Sequence, residues 1–383
     1  MPKTYAYIGN WKQPNEDYAV GVSVAVYHED TGSLELLSHC FPEINCGATC
    51  IDKEKGILYC VNEVNSVSDE TLGGQVFALK MDPHTGMLTE LNHSPSFGGM
   101  PTYCAISSDG RYLVVSNHAK RNSIMKTTLD VNGKYQIVLE YDEASVVLFR
   151  LNEDGSIGEA CDVVRHEGRG LLPNQQSPHP HSVMKSPLYD IFIVCDKGND
   201  SVYSYKIDQE NRKLVQCDCI KGIAGSSPRY SAFHPTLPYF YYNNETKPVV
   251  GVVCYDEEGR LTPVRYNKCT GDCTGKVRGM QSDIRIDAQG RYLYDLVRET
   301  GKIVVYEIDE ISGVPEYVRN VVCACKNGGR GLALSPDGRY LYMAACSEPV
   351  VQIFETDEEG HLNAVGSFED VAPANVIFYT AEE

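Results

Sequence analysis

Two histidines alternate with prolines in Ser177-Pro178-His179-Pro180-His181-Ser182-Val183, just ahead of an apolar run. Proline on each side of His179 restricts the backbone and blocks helix. The stretch is therefore extended and leads from a loop into a strand. Residues i and i+2 of a strand point the same way, which predicts that His179 and His181 aim at one place. Read alone, the segment could equally be a rigid loop carrying two exposed histidines. What decides is the company it keeps. Further along the chain stand Asn62-Glu63, Asn117-His118, Pro228-Arg229-Tyr230, Asn244-Glu245, Asp283, Arg298-Glu299 and Arg330. Histidine, carboxylate and arginine together can bind an anion, move a proton and stabilise an oxyanion.

The elements that must gather these residues form a repeat. Asp-Gly or equivalent turns precede tyrosine-rich runs at Ser108-Asp109-Gly110-Arg111-Tyr112, Gln289-Gly290-Arg291-Tyr292 and Asp337-Gly338-Arg339-Tyr340. A second turn recurs at Thr31-Gly32, Thr85-Gly86, Asp154-Gly155, Glu258-Gly259 and Glu359-Gly360. Such turns supply the positive φ of tight hairpins. The runs between them are strand-like, and no segment keeps a long helical period. Each unit reads as four strands, A to D. Strand A begins near Gly47, Pro101, Pro180, Pro228, Gln281, Gly329 and Pro373. Seven four-stranded units predict an all-β fold, a seven-bladed β-propeller of antiparallel strands spanning residues 1–383 as one domain. A C-terminal strand at about 373–380 completes the blade begun by residues 3–40. An open solenoid or two β-sandwiches are the alternatives.

Composition agrees with a globular chain: 383 residues, 42% hydrophobic, 22% charged. A net charge of −18 argues against nucleic acid or an anionic membrane as partner. It leaves room for a small anionic substrate held by local arginines. The N-terminal residues carry no signal-peptide core, and no apolar run is long enough to span a membrane. Fifteen cysteines in that setting predict reduced thiols and a cytoplasmic location. Cys60, Cys195, Cys254 and Cys346 read as small core residues. Cys217/Cys219 and Cys323/Cys325 have no second pair at zinc-finger spacing, and Cys269 and Cys273, in a polar loop, could meet a metal.

In a propeller the A–B and C–D links share one rim. Here those links are tight turns, leaving that rim little room for a site. The B–C and D–A links, such as 64–74, 119–144, 165–178 and 268–280, are long, and long loops on a rigid scaffold carry function. Starts of A and ends of B face that second rim near the axis. This predicts one mouth holding His179, His181, Arg229, Tyr230, Asp283, Arg330, Asn62, Glu63, His118, Glu245 and Arg298. The bland reading of each remains open: an Asn or Asp ending a strand can cap a turn, and Glu245 can pair with Arg229.

At these residues the sequence resembles the seven-bladed propeller lactonases, a family that includes one type of 6-phosphogluconolactonase and the fungal carboxy-cis,cis-muconate cyclase. The resemblance covers nearly the whole chain. It is carried by His179-Pro180-His181-Ser182, by Cys195-Asp196-Lys197-Gly198-Asn199-Asp200, by Gly225-Ser226-Ser227-Pro228-Arg229, by Phe233-His234-Pro235, by Asn244-Glu245, and by Asp283-Ile284-Arg285 with Arg298. It implies a catalytic set of His181, Arg229, Glu245 and Arg298. Two departures stand out: Tyr230 where the family commonly has histidine, and an insertion over 120–142.

The resemblance implies hydrolysis of a sugar-derived or other small anionic lactone by acid–base catalysis. Glu245 or His181 is then the base and the other the proton donor, with Arg229 and Arg298 holding the oxyanion and any carboxylate or phosphate. His179, Asn62, Glu63, His118, Tyr230, Asp283 and Arg330 are expected to contact substrate. No cofactor is expected. A variant in which His179, His181 and a carboxylate bind Mn²⁺ or Ca²⁺ is open. The same residues could instead run a cycloisomerisation or elimination. A non-catalytic interaction propeller is a third reading, opposed by a single tryptophan, Trp11.

Overall fold

Gly110 shows how the repeat begins. It takes φ 62°, a left-handed value, while Asp109 accepts from Ser107 Oγ and Arg111 N–H to close the turn. The strands it joins, Pro101–Ile106 and Tyr112–Asn117, pair antiparallel and are mostly buried. The computed structural model describes residues 3–12, 20–268, 281–323, 329–345, 348–369 and 371–381. Among these, seven four-stranded antiparallel sheets form a ring, each in A-B-C-D order. One 3₁₀ turn, Arg298–Thr300, is the only helical element there. No helix among the described residues is long and apolar enough to cross a membrane.

The innermost strands are Cys46–Asp52, Pro101–Ile106, Pro180–Lys185, Pro228–Phe233, Gln281–Ile286, Gly329–Leu334 and Pro373–Thr380, taken as blades 1 to 7. The first starts one residue earlier than the sequence predicts. Blade 7 is closed as expected: Pro373–Thr380 pairs with Thr4–Asn10, which pairs with Gly21–Tyr27 and then Leu34–Cys40.

Two devices fix the ring. Buried tyrosines on strand B donate to the glycine carbonyl of the next blade's C–D turn. The pairs are Tyr59 to Gly155 (2.7 Å), Tyr241 to Gly313 (2.7 Å), Tyr342 to Gly32 (2.6 Å) and Tyr7 to Gly86 (2.9 Å). This is why the B strands are rich in tyrosine: the ring fills the inter-blade core and the hydroxyl finds a partner. Second, every innermost strand starts with an irregularity in its pairing to strand B. In blade 3, Pro180 pairs with Asp196 and Ser182 with Cys195, leaving His181 as the extra residue. Such bulges re-aim one side chain.

The insertion over 120–142 is not an irregular loop. It forms a separate two-stranded ribbon, Ser123–Leu129 with Tyr135–Tyr141. The rim of tight turns also differs from expectation. A cavity of about 630 Å³ runs along the axis, lined by Ile51, Lys53, Lys185, Leu334 and Phe378 toward the A–B turns. The inner strands splay enough there to leave space that short turns do not fill. Cys60 and Cys195 are core residues, Cys254 is half-buried, and Cys269, Cys273 and Cys346 lie outside the described residues, as does the 269–280 stretch.

Candidate active site

Two repeated positions build the mouth. The first is the bulged residue at the start of strand A, which contributes His181, Arg229 and Arg330. The second is the residue just after strand B, which contributes Trp11, Glu63, His118, Lys197, Glu245 and Arg298. The Asn or Asp that ends strand B is consumed locally. Asn117 Nδ2 donates to Ser96 O and Ser145 Oγ, and Asn10 Oδ1 accepts from Ala372 N–H. Asn62 belongs to this class: its Oδ1 accepts from Asn45 N–H and its Nδ2 donates to Gln75 Oε1. The turn-capping reading therefore describes Asn62, whose amide is already engaged inside blade 1.

Carboxylates hold the two loops that deliver the site. Asp196 Oδ1 accepts from the N–H groups of His179 and Gly198 at 2.7 and 2.8 Å, and its Oδ2 accepts from His166 Nδ1 at 2.6 Å. Gly198 is required because a Cβ there would overlap Ser177 O. Asp200 accepts from Gly225, Ser226 and Ser227 N–H, fixing the run into Pro228-Arg229. Asp200 and Ser227, which belong to these loops, both hold left-handed backbone (φ 56° and 58°).

His179 and His181 do meet, but through His118 rather than by strand alternation. His179 lies before the strand and stacks on His118, centroids 4.6 Å apart at 17°. Its Nδ1 donates to His118 O at 2.7 Å. His181, in the bulge, sets its ring edge-on to His118 (5.4 Å) and to Tyr230 (5.2 Å). Its Nδ1 is buried with no protein partner among the described residues. Burial first, then Arg229, Lys197 and His118, hold its pKa well below the ordinary histidine value, so the imidazole is neutral. Burial chiefly does the same to His118.

Glu245 carries the charge of the mouth. Its Oε2 accepts from Arg229 Nε at 3.2 Å and pairs with Lys197 Nζ. Burial opposes its ionisation, but Lys197, Arg229 and Arg298 outweigh that and hold the carboxyl well below the usual range. Burial, with Arg229 and Arg121 adding to it, depresses Lys197 to about 7 even though Glu245 pulls the other way. Lys197 is the residue that sequence reasoning missed. Its signal was present: it follows the strand-ending Asp196 as Glu245 follows Asn244. Arg229 also donates to Ser282 O and lies 4.5 Å from the Tyr230 ring centroid.

Of the other expected residues, Arg330 is bulged as His181 is and Glu63 follows strand B as Glu245 does. Arg330 pairs with Glu63 and stacks 3.8 Å from the Trp11 ring. Burial raises the Glu63 pKa against the pull of Arg330. Asp283 pairs with Arg285 at 3.0 Å and accepts from Leu332 N–H at 2.8 Å, joining blades 5 and 6. Tyr230, Asp283 and Arg330 line the axial cavity. Arg330 and Glu63 thus share the mouth with His181 and Glu245, each feeling the charges of the other group, while Asp283 lies one step further along its strand A against Arg285. Glu245, His118, Arg298 and Trp11 are half-buried and face the loop-rich side. The Glu299 side chain lies outside the described residues. No three His, Cys, Asp or Glu side chains gather as an ion-holding set among the described residues.

Residues 5–378 match the family model described as "Lactonase, 7-bladed beta-propeller". A 6-phosphogluconolactonase of Bacillus subtilis is 24% identical over 310 residues, 80% of this chain and 79% of that protein. A 6-phosphogluconolactonase of Formosa agariphila is 25% identical over 345 residues, 88% of this chain and 89% of that one. Among solved structures, the periplasmic gluconolactonase of Pseudomonas aeruginosa superposes with a TM-score of 0.84 at 23% identity, covering 99% of this chain and 100% of that one. That likeness bears on the fold.

Proposed function

The chain belongs to the seven-bladed β-propeller lactonases, and on that premise we propose that its loop-rich mouth hydrolyses a sugar-derived lactone bearing a carboxylate or phosphate. The substrate class rests on the relatives named 6-phosphogluconolactonase and on the cations Arg229, Arg298 and Lys197 gathered at one place. The observation that carries the reading is the neutral His181, its Nδ1 without a protein partner among the described residues, beside the Lys197–Glu245–Arg229 ion pairs.

In this reading His181 is the general base. It takes a proton from water as the water oxygen attacks the lactone carbonyl carbon. Arg229 and Arg298 hold the oxyanion that forms. The C–O bond to the ring oxygen then breaks, and Lys197 gives that oxygen its proton. The proton on His181 returns to Lys197 through solvent, leaving a hydroxy acid. Glu245 serves as positioning residue: held ionised by two cations, it is a weak base but a firm anchor for both.

The test is turnover of sugar and phosphorylated sugar lactones in heavy-oxygen water. Hydrolysis puts one solvent oxygen into the product carboxylate, and His181→Ala should lose about 10²–10⁴-fold in kcat. Product without solvent oxygen would favour the cycloisomerase or lyase reading. Near-wild-type turnover in His181→Ala would remove His181 from the chemistry.

A further inference from the structure

The ribbon inserted into blade 2 is amphipathic and uncovered. Its register pairs Met125 with Leu139, Thr127 with Ile137 and Leu129 with Tyr135 on one face. Ile124 with Glu140, Lys126 with Val138 and Thr128 with Gln136 occupy the other. Alternation in a strand sends these two sets to opposite sides. The second face is largely polar and carries the Lys126–Glu140 ion pair at 3.0 Å. On the first face Met125, Leu129, Tyr135, Ile137 and Leu139 are each between 54% and 84% exposed. Five large apolar side chains on one small surface form a contiguous patch of the kind that marks an interaction site.

Among the described residues the ribbon also pairs with no strand of the ring. A lone two-stranded hairpin is marginal in water, and a cover over its apolar face is what would stabilise it. Its base is tied down: Lys120 N–H donates to Asp142 Oδ2 and Asp142 N–H to Asn122 O, both at 3.2 Å. The free part is the arm beyond, and that arm has the wrong surface for solvent.

We propose that this face is a self-association surface and that its occupant is the same ribbon of a second copy of the chain. Charge bears on the occupant. The chain carries −18, which disfavours an anionic lipid surface and repels its own copy wherever acidic faces would meet. Between Ser123 and Tyr141 the charged residues are Lys126, Lys134, Asp130 and Glu140, two of each sign, so the ribbon is locally neutral. Contact through the ribbon brings locally neutral surfaces together rather than acidic ones, so little repulsion, itself screened within about 8 Å at physiological salt, opposes it. Geometry agrees. A twofold axis lying between two ribbons, parallel to their faces and perpendicular to the strands, stacks the two identical faces in a closed, isologous contact. Met125–Leu139 of one ribbon then lies over Leu129–Tyr135 of the other. The ribbon leaves strand B directly after His118 and Ala119, so the paired arms stand beside the mouth.

Sedimentation velocity of the full chain, from about 1 to 100 µM, tests this. A dimer is expected at the higher concentrations, with Ile137→Lys/Leu139→Glu shifting the equilibrium to monomer by at least tenfold in concentration. Both residues are exposed, so circular dichroism of the variant should stay unchanged. Hydrogen exchange supplies a second reading: the amides of 123–141 should slow with concentration in the wild type alone. A monomer throughout the range overturns the proposal, as does a dimer indifferent to the substitutions. Flotation of the monomer with phosphatidylcholine vesicles would overturn it in favour of a lipid surface.

Discussion

Lys197 and Glu245 form an ion pair at the floor of the mouth, each delivered by the residue that follows a strand B. The pair makes the mouth pH-sensitive in one direction. Burial depresses Lys197 to about 7, and the proposed proton donor must be charged. Therefore kcat/KM should fall as pH rises through about 7. Glu245 raises the lysine's pKa, so Glu245→Gln should move that limb to lower pH. Lys197→Arg keeps the charge but cannot release a proton; it should lose about 10²–10⁴-fold in kcat and abolish the limb. A limb unmoved in both variants would exclude Lys197 as the donor. The same depression means that the folded chain binds fewer protons than the unfolded one between about pH 7 and the ordinary lysine value near 10.4. Wild-type stability should thus rise with pH across that window relative to Lys197→Met, as read from urea midpoints.

Gly47 is the bulged residue of blade 1, and a Cβ there would overlap Glu63 Oε2. Gly47→Ala should push Glu63 away from Arg330 and cost about 1–3 kcal/mol, an overpacking penalty. Gly366, where an added methyl would meet nothing within 4 Å, is the control. Urea denaturation of Gly366→Ala should give a midpoint close to wild type. Equal midpoints in the two variants would mean that Glu63 can move freely.

The tyrosine bonds between blades should be separable. Tyr342→Phe leaves the Gly32 carbonyl without its donor, and Tyr59→Phe does the same to Gly155. Each should cost about 1–2 kcal/mol. The two bonds join different blade pairs, so the double variant should show the sum within about 0.5 kcal/mol. A larger combined loss would reveal coupling transmitted around the ring.

Much of this was legible in the chain. The turns and alternating runs placed the innermost strands to within a residue, because a hairpin's glycine and a strand's alternation are local properties. The split blade followed from counting. The mouth was legible only in part. Asn62 and Lys197 illustrate why: both stand at the end of a strand B, but the last strand residue turns inward to bond its own blade while the next turns to the axis. A one-residue difference in phase decides which side chain reaches the mouth, and the sequence alone marks it only when the repeats are superposed. His181 posed the same problem, since its direction comes from a bulge that simple alternation does not foresee. The axial cavity depends on how far seven strands stand apart, which no single strand encodes. The ribbon's strands lay in a segment read as loop because its pattern is interrupted by polar residues.

The bulged position recurs once per blade: Gly47, Thr102, His181, Arg229, Ser282, Arg330 and Ala374. Seven sites related by a near-sevenfold axis hold three large side chains and four small ones. A ring assembled from seven separate identical subunits would have to present one side chain seven times. Joining the seven into a single polypeptide frees each position from its copies. Rotational sameness then serves the scaffold, while its local violation at one ring of residues sets an imidazole and a guanidinium on adjacent blades, a second guanidinium two blades on, and small side chains at the other four positions.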